Sequence, residues 1–156
     1  MRNRLRKIWL FVRMPLFRKL LLVESMWLLF RVRPLTQGDL DAWKSLAGEY
    51  NTETGEEITP EMRTKARQIS WAVAIASRNL PGEYACLPQA LAAQIMLKRR
   101  GIPTTLYLGA AFKPSKDALK AHAWIRAGNV IVTGAPQHLD YRVVASFSPL
   151  PKSDVS

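Results

Sequence analysis

The chain holds one cysteine, Cys86, and two histidines, His122 and His138. A thiol and an imidazole are the parts of a nucleophile–base pair: the ring takes the sulfur's proton and the sulfur attacks an acyl carbon. One thiol and two imidazoles are too few for a zinc site of the usual kind, so neither a metal nor another cofactor is expected. A lone cysteine cannot close an intramolecular disulfide, which points to a reducing compartment. Most lone cysteines are small buried apolar residues, so the case for chemistry rests on where the sequence puts this one.

Asn79-Leu80-Pro81-Gly82 breaks the chain, and Glu83-Tyr84-Ala85-Cys86-Leu87-Pro88-Gln89 follows, leading into an apolar run that ends at Gly101. Proline is tolerated in a first helical turn and glycine suits the residue beyond a C-terminus, so Cys86 falls at or next to a helix N-cap. The unpaired N–H groups and positive dipole end of that first turn favour negative charge on sulfur and can face an oxyanion. Gln89, one turn in, could help hold the oxyanion, although its position suits capping or solvent equally well.

His122 lies on a strand. Thr105–Ala111 reads as one strand, a lysine-bearing loop follows, and Ala121–Arg126 reads as a second, with Gly128-Asn129 turning into Val130–Thr133. A rigid antiparallel ladder can aim the imidazole at the start of a packed helix. Trp124, two residues on, shares the strand face of His122 and either roofs the ring or packs. His138 sits in loop sequence without ligand spacing and reads as a surface histidine.

The remaining elements are helical. Thr59-Pro60-Glu61 is a strong helix start, and Met62, Ala66, Ile69, Val73 and Ala76 recur at helical spacing up to about Arg78. A short helix from about Gly38 to Leu46 interrupts the acidic, polar stretch 36–59, which reads either as a solvated connector or as a contact for the basic N-terminus. After Pro15, Leu16, Leu20, Val23, Trp27 and Phe30 mark one helix face, either packed on the core or docked on a membrane surface or partner.

Charge is concentrated at that end. The net charge is +11, and residues 1–33 carry nine basic side chains against one acid, Glu24, or +8. Such a field attracts nucleic acid, anionic lipid or an acidic partner. No recognition motif accompanies the Arg, Lys and Trp residues, so nucleic acid is not expected. The apolar run Ile8–Val12 is cut off by Arg13, too short for a signal peptide or a membrane span, which leaves a cytoplasmic protein, peripheral at the membrane if the basic helix docks there. One domain is expected: 1–33 a basic amphipathic segment, 34–148 a catalytic core and 149–156 a flexible tail.

Cys-Leu-Pro-Gln-Ala-Leu-Ala at 86–92, Arg-Arg-Gly-Ile-Pro at 99–103, Leu-Gly at 108–109 and Ala-His-Ala-Trp at 121–124 together resemble the leader peptidase of lasso-peptide biosynthesis, a family similar to transglutaminase-like and papain-like thiol enzymes. The resemblance implies an α+β fold, with N-terminal helices packed on a small antiparallel sheet, and a Cys, His, Asp triad. Cys86 maps as nucleophile and His122 as base. The acid would fall near Thr133 and Gly134, where no carboxylate stands. Asp140 is the nearest downstream acid and reaches the ring only if Ala135–Leu139 folds back; a backbone carbonyl or Asn129 could serve instead. The implied substrate is a precursor peptide cut at its leader, and the implied partners are a separate leader-binding protein and an ATP-dependent lasso cyclase. Two rival readings stay open: an acyl or amide transferase working through the same thioester, and a basic non-catalytic interaction module.

Overall fold

The computed structural model describes residues 9, 11–113, 118–135 and 137–149. The tail expected from 149 onward therefore lies outside the described residues except for Pro149, as do the basic residues before Trp9 and most of the lysine-bearing loop. The elements run α1 (Leu16–Thr36), α2 (Leu40–Ala47), β1 (Glu49–Tyr50), α3 (Pro60–Asn79), α4 (Cys86–Lys98), β2 (Thr105–Lys113), β3 (Ala118–Ala127), β4 (Val130–Thr133), a 3-10 turn (Gln137–Asp140) and β5 (Arg142–Ser148). The five strands form one antiparallel sheet in the order β1-β5-β2-β3-β4. Helices on one face of this sheet make the α+β fold expected from the sequence.

α4 is the centre. Ala90, Leu91, Ala92, Ala93, Met96 and Leu97 are all fully buried, because the helix is apolar on nearly every side and small alanines let its neighbours approach. Gln94, the one polar residue in its middle, is 1% exposed and donates its side-chain N–H to the Ala47 carbonyl at 2.8 Å, tying the end of α2 to α4. α3 begins as its sequence dictates: the Thr59 hydroxyl accepts from the Met62 N–H at 3.2 Å, and Ala66, Ile69, Val73 and Ala76 turn inward. On the sheet, Leu106, Ala123, Ile125, Ala127, Val132 and Phe147 join the helices in one apolar core.

α1 faces the other way from the packed orientation that its apolar spacing allows. Leu21, Leu22, Ser25, Leu28, Leu29 and Val32 are buried, whereas Leu16, Leu20, Val23, Trp27 and Phe30 stand in solvent. The helix is apolar on both sides, and polar anchors choose between them. The Ser25 hydroxyl meets the Met96 sulfur at 3.3 Å, and Glu24 pairs with Arg100 at 2.7 Å and Arg99 at 3.1 Å. Turning the helix over would break all of these. Burial pushes the Glu24 carboxyl up, but the hydrogen bonds and charges of Arg100 and Arg99 together outweigh it and hold the carboxyl below its ordinary value.

The acidic stretch before α3 does not lie free in solvent along its whole length. Glu53 accepts from the Tyr107 hydroxyl at 2.8 Å, and the Thr54 carbonyl and N–H bond Arg126 and Thr105, at 2.9 Å each. This strap covers the sheet face opposite the helices. Burial there raises the Tyr107 phenol above its ordinary value, with the Glu53 carboxylate adding and Arg126 opposing.

Candidate active site

Cys86 is the first residue of α4, with Ala85 as N-cap and no acidic side chain in the first turn. Helix geometry leaves the Cys86 and Leu87 N–H groups without intrahelical acceptors, and Pro88 has none to offer. The loop before it is held from two sides. The Gln89 side-chain N–H donates to the Tyr84 carbonyl at 2.7 Å, and the Arg33 guanidinium lies over the Tyr84 ring, 5.2 Å from its centroid. Gly82 has φ +99°, a backbone conformation that other residues rarely adopt, so this turn favours glycine. Gln89 therefore supports the loop that presents Cys86, with one amide N–H already used.

His122 sits on β3 opposite Gly109 of β2. Its Nε2 lies 2.9 Å from the Gly134 carbonyl oxygen. A carbonyl only accepts, so Nε2 carries the proton in the neutral ring and the lone pair is on Nδ1. Gly134 is one of the two positions, with Thr133, near which the resemblance places an acid. Gly134 has φ +87°, and a Cβ there would fall 2.5 Å from Trp124 Cβ, so a side chain of any kind is excluded and the backbone supplies the acceptor.

The His138 N–H is bonded to the Gly134 carbonyl at 3.2 Å, and the residue beside the ring is not the one expected. The Tyr141 ring lies 5.0 Å from the imidazole, whereas Asp140 is exposed at the end of the 3-10 turn and makes no hydrogen bond or ion pair among the described residues. The cause is local: in a tight turn neighbouring side chains diverge, and here Tyr141 points inward. In this structure the acceptor on His122 is the Gly134 carbonyl and not the Asp140 carboxylate. Asn129 is exposed in the β3–β4 turn and is not that acceptor either.

Trp124 is 4% exposed and both packs and roofs: its ring stacks on His122 with centroids 5.9 Å apart and on Tyr107 at 5.5 Å. His138 is not a plain surface residue, since its ring lies 6.0 Å from Trp124 and its Nδ1 is buried. Gly109 leaves room for this stack, because a Cβ there would meet Trp124 Cζ3 at 2.6 Å and Tyr141 Cβ at 2.8 Å. Sequence reasoning missed the contribution of Tyr141, and it offered a backbone carbonyl as acceptor without placing it at Gly134. The glycine where an acid was expected was the available signal.

α4 packs directly on β3, so the elements that carry Cys86 and His122 are neighbours. Among the described residues no hydrogen bond joins the thiol to the imidazole. Ala123 and Ile125 face the helices, so His122 starts from the alternate side of the strand. The pairing of β3 with β4 ends at Ile125 opposite Thr133, and beyond it Gly134 and the 3-10 turn lie beside the strand. The Cys86 and His122 side chains are both half-buried. No group of three or more His, Cys, Asp or Glu capable of holding a metal occurs among the described residues.

A family model described as the transglutaminase-like superfamily matches residues 29–146. No curated protein and no solved structure matches the chain. Members of that superfamily are typically cysteine-dependent enzymes, a class that includes both peptidase and acyltransferase activities. The match spans more than half of the sequence and takes in both Cys86 and His122, and the chain belongs to the transglutaminase-like superfamily.

Proposed function

We propose that this protein is a cysteine peptidase that removes the leader from a ribosomally made lasso-peptide precursor before its macrolactam is closed. The observation that carries the proposal is the bond from His122 to the Gly134 carbonyl, since it fixes the tautomer whose Nδ1 can accept a thiol proton.

In the reaction Nδ1 takes the proton of Cys86 as the sulfur attacks the carbonyl carbon of the leader's last residue. The Cys86 and Leu87 N–H groups face the resulting oxyanion. The C–N bond breaks, the imidazolium returns its proton to the departing amine of the core peptide, and the leader remains as a thioester on Cys86. Water, deprotonated by the same ring, then releases the leader carboxylate. The reaction requires the Nδ1 lone pair to come within hydrogen-bond reach of the Cys86 thiol in the substrate complex. The lasso assignment is supported by the combined motifs around Cys86, Gly109 and His122, and it brings as partners a leader-binding protein and the ATP-dependent cyclase.

Mixing the protein with its precursor and leader-binding protein, followed by mass spectrometry, tests this. Free leader from the wild type and none from Cys86→Ala or His122→Ala is the expected result. A leader joined to an amine instead of carrying a free carboxylate overturns hydrolysis in favour of acyl transfer, and cleavage by Cys86→Ala overturns the nucleophile.

A further inference from the structure

The outward face of α1 has no partner within the chain. Leu16, Leu20, Val23, Trp27 and Phe30 are between 52 and 71% exposed. At 100° per residue they fall within an arc of about 80°, and Leu16 to Phe30 spans about 21 Å of helix. Five large apolar side chains in one stripe are more than scattered surface residues, and Trp9, Phe11 and Val12 extend the exposed apolar surface beyond the helix start.

The charges around the stripe have one sign. Lys19 stands on one margin and Arg31 on the other, with Arg13 before the helix, and none of them pairs with a carboxylate among the described residues. Glu24, the one acid in α1, is turned to Arg99 and Arg100. Two of the cations lie over tryptophans: the Arg13 guanidinium is 4.4 Å from the Trp9 ring centroid, and that of Arg31 is 5.5 Å from Trp27. Such pairs suit the headgroup level of a bilayer, where a ring can sit at the acyl boundary while its guanidinium meets phosphate.

We propose that α1 docks this protein on the surface of an anionic lipid bilayer, lying in the interface with the Leu16–Phe30 stripe against the acyl boundary and Lys19 and Arg31 among the lipid phosphates. The helix lies on the membrane, since no helix among the described residues is long and apolar enough to cross one. A bilayer supplies an apolar plane and negative charge together without shape matching, whereas a protein occupant would need an acidic rim around an apolar strip of the same length. From Trp27 and Phe30 the surface continues into an open groove of about 1290 Å³ whose far wall includes Leu80, Pro81 and Tyr84.

Flotation of the full chain with phosphatidylglycerol–phosphatidylcholine vesicles, against phosphatidylcholine alone, tests the proposal. Leu20→Glu and Trp27→Glu change exposed residues and are checked for unchanged far-ultraviolet circular dichroism. Expected are flotation with the anionic vesicles only, weakening as salt is raised, and a loss of at least about tenfold in partitioning for each variant. Three results overturn it: no flotation with anionic vesicles, flotation that both variants retain, or a soluble dimer that Leu20→Glu converts to monomer while vesicles are ignored.

Discussion

Replacing Gly109 with alanine probes how tightly the ring stack beside His122 is built. The added Cβ would stand 2.6 Å from Trp124 Cζ3 and 2.8 Å from Tyr141 Cβ, where ordinary carbon contacts need about 3.5–4.0 Å, so the rings must retreat by about 1 Å. Trp124 is 4% exposed and stacked on Tyr107, so it has nowhere to swing. Overpacking of this kind costs about 1–3 kcal/mol, which lowers Tm by about 2–12 °C for a chain of this size. Because Trp124 and Tyr141 flank the imidazole at 5.9 and 5.0 Å, the same shift displaces His122, and misplacement on the order of 1 Å costs about a hundredfold in rate. Thermal melts and cleavage rates of Gly109→Ala, Trp124→Phe and the double variant form a cycle. Phenylalanine lacks the outer ring atoms that clash, so the double variant recovers part of the loss, with a coupling of about 0.5–3 kcal/mol. A Gly109→Ala protein that melts and cleaves like wild type, or a double variant showing simple additivity, would refute the steric argument.

Other substitutions report on the loop, the core anchor and the missing acid. Gln89→Leu leaves the half-buried Tyr84 carbonyl without its donor; a loss of about 1–2 kcal/mol in denaturant titration and a slower cleavage rate are expected. Glu24→Gln should cost about 1–2 kcal/mol at neutral pH, since it unpairs Arg100. The sign follows from the lowered folded-state value: the stabilisation is present above the ordinary value of 4.5 and is lost as pH falls through the folded one, so wild-type and variant stabilities converge in acid, measurable by melts across that range. Asp140→Ala should cleave within about twofold of wild type, because the carboxylate is exposed and unbonded; a loss of a hundredfold or more in a kinetic assay would restore it as an orienting group.

Much of the site was legible because local chemistry fixes it. Pro88 and Gly101 bracket a helix and leave Cys86 at its start, Thr59 caps α3, and the alternation around His122 reads as a strand. The partner of His122 was not legible as a side chain, since a backbone acceptor leaves no residue type to read; it showed only as a glycine where an acid was expected. α1 could not be oriented from spacing, because both its faces are apolar and the choice rests on Ser25 and Glu24 meeting residues more than seventy positions away. β5 went unread for a related reason. Arg142, Val143 and Val144 are exposed and Phe147 is its one core side chain, so the strand lacks a clean alternation although it lies between β1 and β2.

The most direct test of the central claim, that Cys86 is acylated with His122 as its base, is to acid-quench the protein during turnover of its precursor and weigh the intact chain. The proposed chemistry predicts an adduct of the leader's acyl mass on Cys86 in the wild type, and none in Cys86→Ala or His122→Ala. Cleavage of the precursor by Cys86→Ala protein, or an adduct on any other residue, would contradict it.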